Sequence, residues 1–304
     1  MTVEQPHQTV PTDTPRHVAV LGTGKMGAAI AERLAAEGFT LTLWNRTRAR
    51  AEALAVGHVA DTPAAASADA DLVMSSLTGP DAVRAAYLGR HGALAAGRGS
   101  LFVEMSTAGA DLVPELANAV AAAGARLVDA PILGAPPFVR EGQAAILIGG
   151  AGPDVALATA VLNRLGSVRH VGRLGSAARL KLVANSMLAD LVLAAAEMQV
   201  AGERSGLAPG DVFWVLERLA PVLEPRRHGY VENRHTPTLF ALRDLRKDLD
   251  FAMSLFARSG AQTPLTSQAR DLVAEADRTA GDLDITAVVI PYRQGPDITP
   301  HQES

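Results

Sequence analysis

From Val18 the chain reads Val-Ala-Val-Leu, then Gly22-Thr23-Gly24-Lys25-Met26-Gly27, then a helical pattern with Ile30 and Leu34 on its inner face. Gly38 stands where a helix C-cap glycine belongs, and Phe39 to Trp44 reads as a second strand. This is a β-α-β unit with G-x-G-x-x-G at the turn from strand into helix. Gly22 permits the tight turn, Gly24 lets a pyrophosphate approach the backbone, and Gly27 lets helix and strand pack closely. The positive end of the helix then faces the phosphates. Turns collect glycine anyway, but here strand, helix and second strand all fall into place around the motif. The stretch therefore predicts dinucleotide binding by Gly22, Thr23, Gly24, Lys25, Met26 and Gly27.

The residues after the second strand choose the cofactor. An acid there would grip the ribose 2′-hydroxyl of NAD, whereas arginine accommodates the 2′-phosphate of NADP. The chain carries Asn45-Arg46-Thr47-Arg48 and no acid. Arg46, directly after the strand end, predicts NADP(H) over NAD(H). Arg48 and Arg50 read as a solvated charged start to a helix.

Further strands are expected at Asp71–Leu77, from Leu101 to about Met105, at Arg126–Asp129, and, as final strands, at Ala144–Ile148 and Val168–Val171. Helices are expected from Asp111 to Ala123 and from near Pro153. Ligands of doubly wound sheets lie beyond the carboxyl ends of the strands. Leu77-Thr78, Ser106-Thr107 and Asp129-Ala130-Pro131 sit at such ends and together would form a rim for the nicotinamide.

From Ser176 the strand signals stop. Leu180, Val183, Ala184, Met187, Leu188 and Leu191 follow helical spacing, and the pattern continues to about Glu203, a helix of roughly 40 Å at 1.5 Å per residue. Shorter helices are expected at Pro209–Leu219, about Leu239–Arg258, and Pro264 to about Thr279. The expected fold is an α/β Rossmann-type doubly wound sheet, then an all-helical C-terminal domain, joined by a long interdomain helix. Its expected divisions are a disordered leader (1–15), an NADP-binding domain (16–173), a helical substrate and oligomerisation domain (174–290) and a loose tail (291–304). The segment 223–237, with Arg226, Arg227, His228, Arg234 and His235, reads as a solvated basic loop.

Composition narrows the function. A formal net charge of -4 over 304 residues gives no reason to expect nucleic acid. The absence of cysteine excludes disulfides, thiolate nucleophiles and zinc–cysteine sites, and fits a reducing compartment such as the cytoplasm. The most apolar long segment, Leu180–Ala201, contains Lys181, Asp190 and Glu197, which argues for a buried helix over a membrane span.

Lys181 and Asn185 are one helical turn apart and project from one face of an otherwise apolar helix. Either the pair points into something specific, or the lysine snorkels and the asparagine caps a neighbouring backbone group. Spacing alone leaves these readings level. Lys247-Asp248, on a later helix, is an adjacent pair of opposite charge and by itself says almost nothing.

With these landmarks in order the chain resembles the β-hydroxyacid dehydrogenases, typified by 3-hydroxyisobutyrate dehydrogenase. The resemblance runs from about His17 to Val289. It rests on the glycine motif, Trp44-Asn45-Arg46-Thr47, Met105-Ser106-Thr107, Asp129-Ala130-Pro131-Ile132-Leu133-Gly134, Gly172 to Asn185, and Lys247-Asp248-Leu249. It implies that Lys181 is the acid/base and that Asn185 holds the substrate and the lysine. It places Thr107, Leu133, Gly134, Phe240 and Asp248 at the substrate, and Leu77, Thr107, Asn45, Thr47 and Lys247 at the cofactor. It also implies a homodimer or homotetramer, no metal, and a small-molecule substrate. The chemistry is consistent: hydride removal from a carbinol carbon requires the hydroxyl proton to leave, and a positioned amine can accept it. Free lysine has a pKa of about 10.4, so such a site would lower it by burial or a neighbouring cation.

The chain departs from the family at one position. Where the family usually has serine to receive the substrate carboxylate, this chain has Leu133, followed by Ala135-Pro136-Pro137. Imine reductases share the fold and the Asn-Arg-Thr preference for NADP, but typically carry aspartate or tyrosine at the lysine position. A non-catalytic NADP-binding protein is the third reading, and such proteins tend to lose the lysine.

Overall fold

The computed structural model describes residues 15–96 and 99–294, so the leader up to residue 14 and the tail from residue 295 lie outside the described residues. The chain forms two compact units, Met1–Lys181 and Leu182–Ser304.

The first unit opens with β1 (His17–Leu21), α1 (Lys25–Ala36), β2 (Thr40–Trp44), α2 (Arg48–Glu52), β3 (His58–Val59), α3 (Pro63–Ser67) and β4 (Leu72–Ser75). It continues through α4 (Pro80–Leu88), β5 (Leu101–Glu104), α5 (Leu112–Ala122) and β6 (Arg126–Asp129). These six strands form one parallel sheet in the order β3-β2-β1-β4-β5-β6, with Val18 opposite Leu41 on one side and Leu72 on the other. A parallel sheet is buried on both faces, which is why its strands read as unbroken apolar runs. Val18 and Val20 belong to the core shared with Ile30 and Leu34 of α1. Ala19 and Leu21 belong to the core on the other face, with Phe102 and Tyr87, whose rings lie 5.3 Å apart. Because β1 is flanked by β2 and β4, the strand order reverses beside it. The crevice at the carboxyl ends of β1 and β4 is therefore the position where this architecture binds ligands.

Several elements differ from the sequence reading. Where the sequence showed only a turn at Gly79-Pro80, Gly79 at φ +115° starts α4, with proline at its first position. After β6 come β7 (Ile132–Leu133), α6 (Pro136–Arg140), β8 (Ala144–Ile148), α7 (Gly152–Leu162) and β9 (Gly166–His170). The last two strands do not close the main sheet; they form a separate sheet, β7-β8-β9, with β7 antiparallel to β8. Only Ala130-Pro131 links β6 to β7, too short for the crossover that parallel pairing needs.

The helix α8 (Ser176–Arg204) begins in the first unit and runs on into the second. The second unit continues with α9 (Pro209–Leu219), a 3₁₀ turn (Pro221–Arg226), α10 (Arg227–Val231), α11 (Leu242–Ser259) and α12 (Pro264–Ala280). A 3₁₀ turn (Ile285–Val288) and α13 (Val289–Arg293) end it. Its core gathers Val192, Ala196, Phe213, Tyr230, Leu245, Leu249 and Val273. Trp214, Val215, Leu219 and Val222 stay exposed. Among the described residues no helix is long and apolar enough to cross a membrane.

Here too the structure corrects the sequence. Residues 223–237 are not one solvated basic loop. Arg226 is buried and pairs with Asp284 at 3.3 Å, and buried His235 bonds Thr286 Oγ1 at 2.9 Å. Arg227 and Arg234 are exposed as expected. The helix expected from Leu239 starts at Leu242, because the N–H groups of Leu239 and Phe240 donate instead to Asp284 Oδ2 at 3.0 and 3.1 Å. Pro291 to Arg293, expected in the tail, complete α13, and Arg293 donates to Glu203 at 2.9 Å and to the Tyr230 carbonyl.

Candidate active site

The glycine turn is shaped by backbone contact. Gly22 has φ +95°, and a Cβ there would lie 2.3 Å from Ser76 O. A Cβ on Gly27 would lie 1.8 Å from Gly22 O, so α1 rests directly on the turn. At Gly24, the N-cap of α1, a Cβ would meet nothing within 4 Å. The two outer glycines are thus required by packing and the middle one faces open space, as an approaching phosphate needs. The first turn of α1 carries no acid and no side-chain cap, which leaves the positive end of the helix uncompensated. The Thr23 hydroxyl is buried without a hydrogen-bond partner among the described residues, an unfavourable arrangement that a ligand oxygen would relieve. These features fit the pyrophosphate of a dinucleotide.

Asn45 ties the turn to the end of β2. Its Oδ1 accepts from Thr23 N at 3.1 Å and its Nδ2 donates to Thr47 O at 2.9 Å. Between them Arg46 is exposed and has no hydrogen bond or ion pair among the described residues. Arg48, by contrast, is bound to Glu52 at 2.7 Å, to Asp61 and to the Val59 carbonyl. The structure thus separates the two arginines as the sequence did.

The strand-end rim is held from beneath by a buried acid that sequence reading missed. Leu77 N donates to Ser106 Oγ at 2.9 Å, and Ser106 N donates to Glu104 Oε1 at 2.7 Å. Ser75 Oγ donates to Glu104 Oε2 at 2.6 Å and shares a 2.7 Å bond with the Tyr87 hydroxyl. Leu77 and Thr107 are therefore presented by turns that Glu104 organises. Burial pushes the Glu104 carboxyl above its ordinary range, and its donors from Ser106 and Ser75 offset this only in part. The visible signal was an acid closing the apolar run Leu-Phe-Val-Glu.

The third expected rim segment is overturned. Asp129 is 1% exposed, Ala130 and Pro131 are buried, and the Asp129 carboxylate accepts from Gly175 N at 2.8 Å and Ala178 N at 2.7 Å. It cannot face a nicotinamide. Beyond it Lys181 Nζ donates to Ile132 O at 2.7 Å, so the amine stands beside half-buried Leu133. Gly134 follows at φ +140°, and a Cβ there would lie 3.8 Å from Phe138, which is 38% exposed. Leu133 and Gly134 follow this carbonyl directly in the chain, and Phe138 lies against Gly134.

In the second unit Asn185, 4% exposed, donates to Asp248 Oδ2 at 2.6 Å, and Lys247 Nζ lies 3.1 Å from Asp248 Oδ1. Phe240 is half-buried in the segment that Asp284 holds. The predicted residues therefore fall into two groups. One, with the glycine turn, Asn45–Thr47, Leu77, Thr107, Leu133, Gly134 and Lys181, lies in the first unit. The other, with Asn185, Phe240, Lys247 and Asp248, lies in the second. Lys181 and Asn185 remain one turn apart along α8.

Residues 17–175 match the NAD binding domain of 6-phosphogluconate dehydrogenase, and residues 175–292 match a second, different family model, described as the NAD-binding region of NADP-dependent 3-hydroxyisobutyrate dehydrogenase. The chain belongs to the β-hydroxyacid dehydrogenase family. Glyoxylate/succinic semialdehyde reductase 1 of Arabidopsis thaliana is 28% identical over 90% of this chain and 96% of its own length. The cytokine-like nuclear factor N-PAC of Mus musculus is 28% identical over 92% of this chain, which spans only 52% of that protein. A solved 3-hydroxyisobutyrate dehydrogenase of Mycobacterium tuberculosis, described with L-serine, is 29% identical with a TM-score of 0.80, covering 91% of this chain and 99% of that one. Family membership makes the ligand of the glycine turn a nicotinamide dinucleotide.

The raised Glu104 pKa has a consequence for stability. The folded state binds this proton more tightly than the unfolded chain, so the contribution is complete below the ordinary value of 4.5 and is lost as pH rises through the folded value. The melting temperature of the parent should therefore fall relative to that of Glu104→Gln as pH is raised from about 4.5 towards 8. Calorimetry on both proteins checks this; a difference constant over that range would show that Glu104 titrates normally.

Proposed function

We propose that the chain is an NADP(H)-dependent oxidoreductase of the 3-hydroxyisobutyrate dehydrogenase type, with Lys181 as acid/base. The observation that carries the reading is the Lys181 amine held 2.7 Å from Ile132 O, on the first unit that also bears the cofactor turn. The nicotinamide, when bound, supplies or accepts the hydride. Gly22 to Gly27 and Thr23 Oγ1 would hold the pyrophosphate, and Arg46 the 2′-phosphate. In the reducing direction the Lys181 ammonium donates a proton to the carbonyl oxygen as the carbon receives hydride, giving the alcohol. In the oxidising direction the neutral amine takes the hydroxyl proton. Anchoring a long, flexible side chain on a backbone carbonyl confines the proton donor to one place.

Leu133, where the family usually has serine, argues for a substrate larger or less polar than 3-hydroxyisobutyrate. Replacing a hydroxyl donor by an isobutyl group removes a hydrogen bond to a charged acceptor and adds apolar bulk. Imine reduction is the second reading, and Leu133 favours it, since a simple cyclic imine has no carboxylate to receive. A screen of aldehyde acids, hydroxyacids and cyclic imines, following NADPH absorbance, separates the two.

Three variants test the assignments. Arg46→Ala should weaken NADPH binding by roughly ten- to a hundredfold and leave NADH binding nearly unchanged; equal NADPH affinity in variant and parent would remove Arg46 from the cofactor. Lys181→Ala should keep NADPH affinity yet lose about 10²–10⁴-fold in kcat, and near-parental kcat in an assay limited by chemistry would place the proton transfer elsewhere. Leu133→Ser should raise kcat/KM for a small hydroxyacid by up to about a hundredfold, if the missing bond is worth about 1.5–3 kcal/mol. A parent already efficient on 3-hydroxyisobutyrate or tartronate semialdehyde would refute the substrate argument.

A further inference from the structure

Asp129 ends β6, is 1% exposed, and has no role in the proton transfer described above. Its two oxygens are divided between two backbone donors, Gly175 N at 2.8 Å and Ala178 N at 2.7 Å. The helix α8 begins at Ser176, so these donors belong to the helix start, where N–H groups lack partners within the helix. Capping normally falls to a side chain next to the helix in sequence. Here the cap comes from a residue 46 and 49 positions earlier in the chain. A carboxylate at this end also complements the helix dipole.

The carboxylate is fixed from behind as well. Asp129 exchanges both backbone bonds with Gly149, at 3.1 and 2.9 Å. A Cβ on Gly149 would lie 2.5 Å from Asp129 Oδ1, so nothing larger than glycine fits against it. Three residues past Asp129 stands Ile132, whose carbonyl accepts from Lys181; three residues before Lys181 stands Ala178, whose N–H donates to Asp129. The same two short segments are thus joined twice, once by the acid and once by the amine. Any slip of the first turn of α8 would move the lysine from its carbonyl.

We infer that Asp129 is a positioning residue for Lys181: its carboxylate locks the first turn of α8 and so sets where the amine stands. The inference rests on the reading of Lys181 as acid/base. An asparagine here has one acceptor oxygen for two donors and turns an NH₂ towards the other N–H, which loosens the lock with little change of volume.

A double-mutant cycle on the full chain tests this, using Asp129→Asn, Lys181→Ala and the pair. Asp129→Ser replaces Asp129→Asn should the latter lose cooperative thermal unfolding. In the parent background the substitution should lower kcat by roughly ten- to a hundredfold, since a displacement of about 1 Å costs on this order. Affinity for NADPH, read by fluorescence titration, should stay within about twofold, and amide exchange at Gly175 and Ala178 should accelerate. In the Lys181→Ala background the same substitution should leave kcat nearly unchanged. An equal fold-loss in both backgrounds would show that Asp129 acts on stability alone. Faster exchange with parental kcat would show that the lock exists and the lysine does not need it, which also overturns the inference. Should Lys181→Ala itself keep parental kcat, the acid/base reading fails, and that outcome is visible before Asp129 is touched.

Discussion

Backbone meeting backbone at the turn after β1 is the constraint on which the cofactor half depends. With no room for a Cβ at Gly22 or Gly27, α1 sits against the turn and its N-terminus points across the crevice beside β4. Everything offered to a dinucleotide follows from that placement. The open face at Gly24, the unsatisfied Thr23 hydroxyl and Asn45 bridging Thr23 to Thr47 are consequences of where one helix rests. Arg46 projects from the loop that Asn45 stiffens. That one side chain ties the glycine turn to the loop carrying Arg46.

Away from the turn, the molecule repeatedly uses a buried carboxylate to hold backbone N–H groups. Glu104 holds Ser106, Asp129 holds Gly175 and Ala178, and Asp284 holds Leu239, Phe240 and Thr286. Each acid fixes a segment that presents a candidate site residue: Thr107, Lys181 and Phe240 in turn. Burying an acid is costly unless its oxygens are satisfied, and for Glu104 and Asp129 burial does raise the pKa. The return is geometric. Charge-assisted bonds to backbone are short and strong, and they specify the positions of loops whose own sequences are rich in glycine, serine and proline.

The periodic parts of this fold were legible. The β-α-β unit, five of the six strands of the parallel sheet (all but the two-residue β3) and the approximate extent of α8 and α9 follow from apolar period and cap residues, which are local properties. What escaped were decisions made at long range. Nothing within Ala144–Ile148 says that it joins a second sheet; that depends on the short link at Ala130-Pro131. Nothing near Leu239 says that its N–H is taken by an aspartate 45 residues away. Arg226 looked like one more surface cation because its partner, Asp284, lies still further away in sequence. Asp129 was misread for a related reason. Its position at a strand end suggested a ligand, whereas the structure commits both its oxygens to a helix start.

The arrangement around Lys181 also explains how a departure such as Leu133 can coexist with a retained lysine. The amine is anchored on the carbonyl of Ile132, and the cap beneath it consists of a carboxylate and two N–H groups. Apart from Asp129 and the lysine itself, this frame is main chain. Backbone atoms are present whatever side chain a position carries, so residues 133 to 138 can change polarity and size without removing the carbonyl that holds the Lys181 amine. The glycine turn is separated from residues 133 to 138 in the same way, because its partners, Asn45 and Ser76, follow β2 and β4. The side chains after Ile132 can therefore change while the anchor of Lys181 stays fixed. An isobutyl group at Leu133 beside an intact Lys181 is what such a change would leave behind.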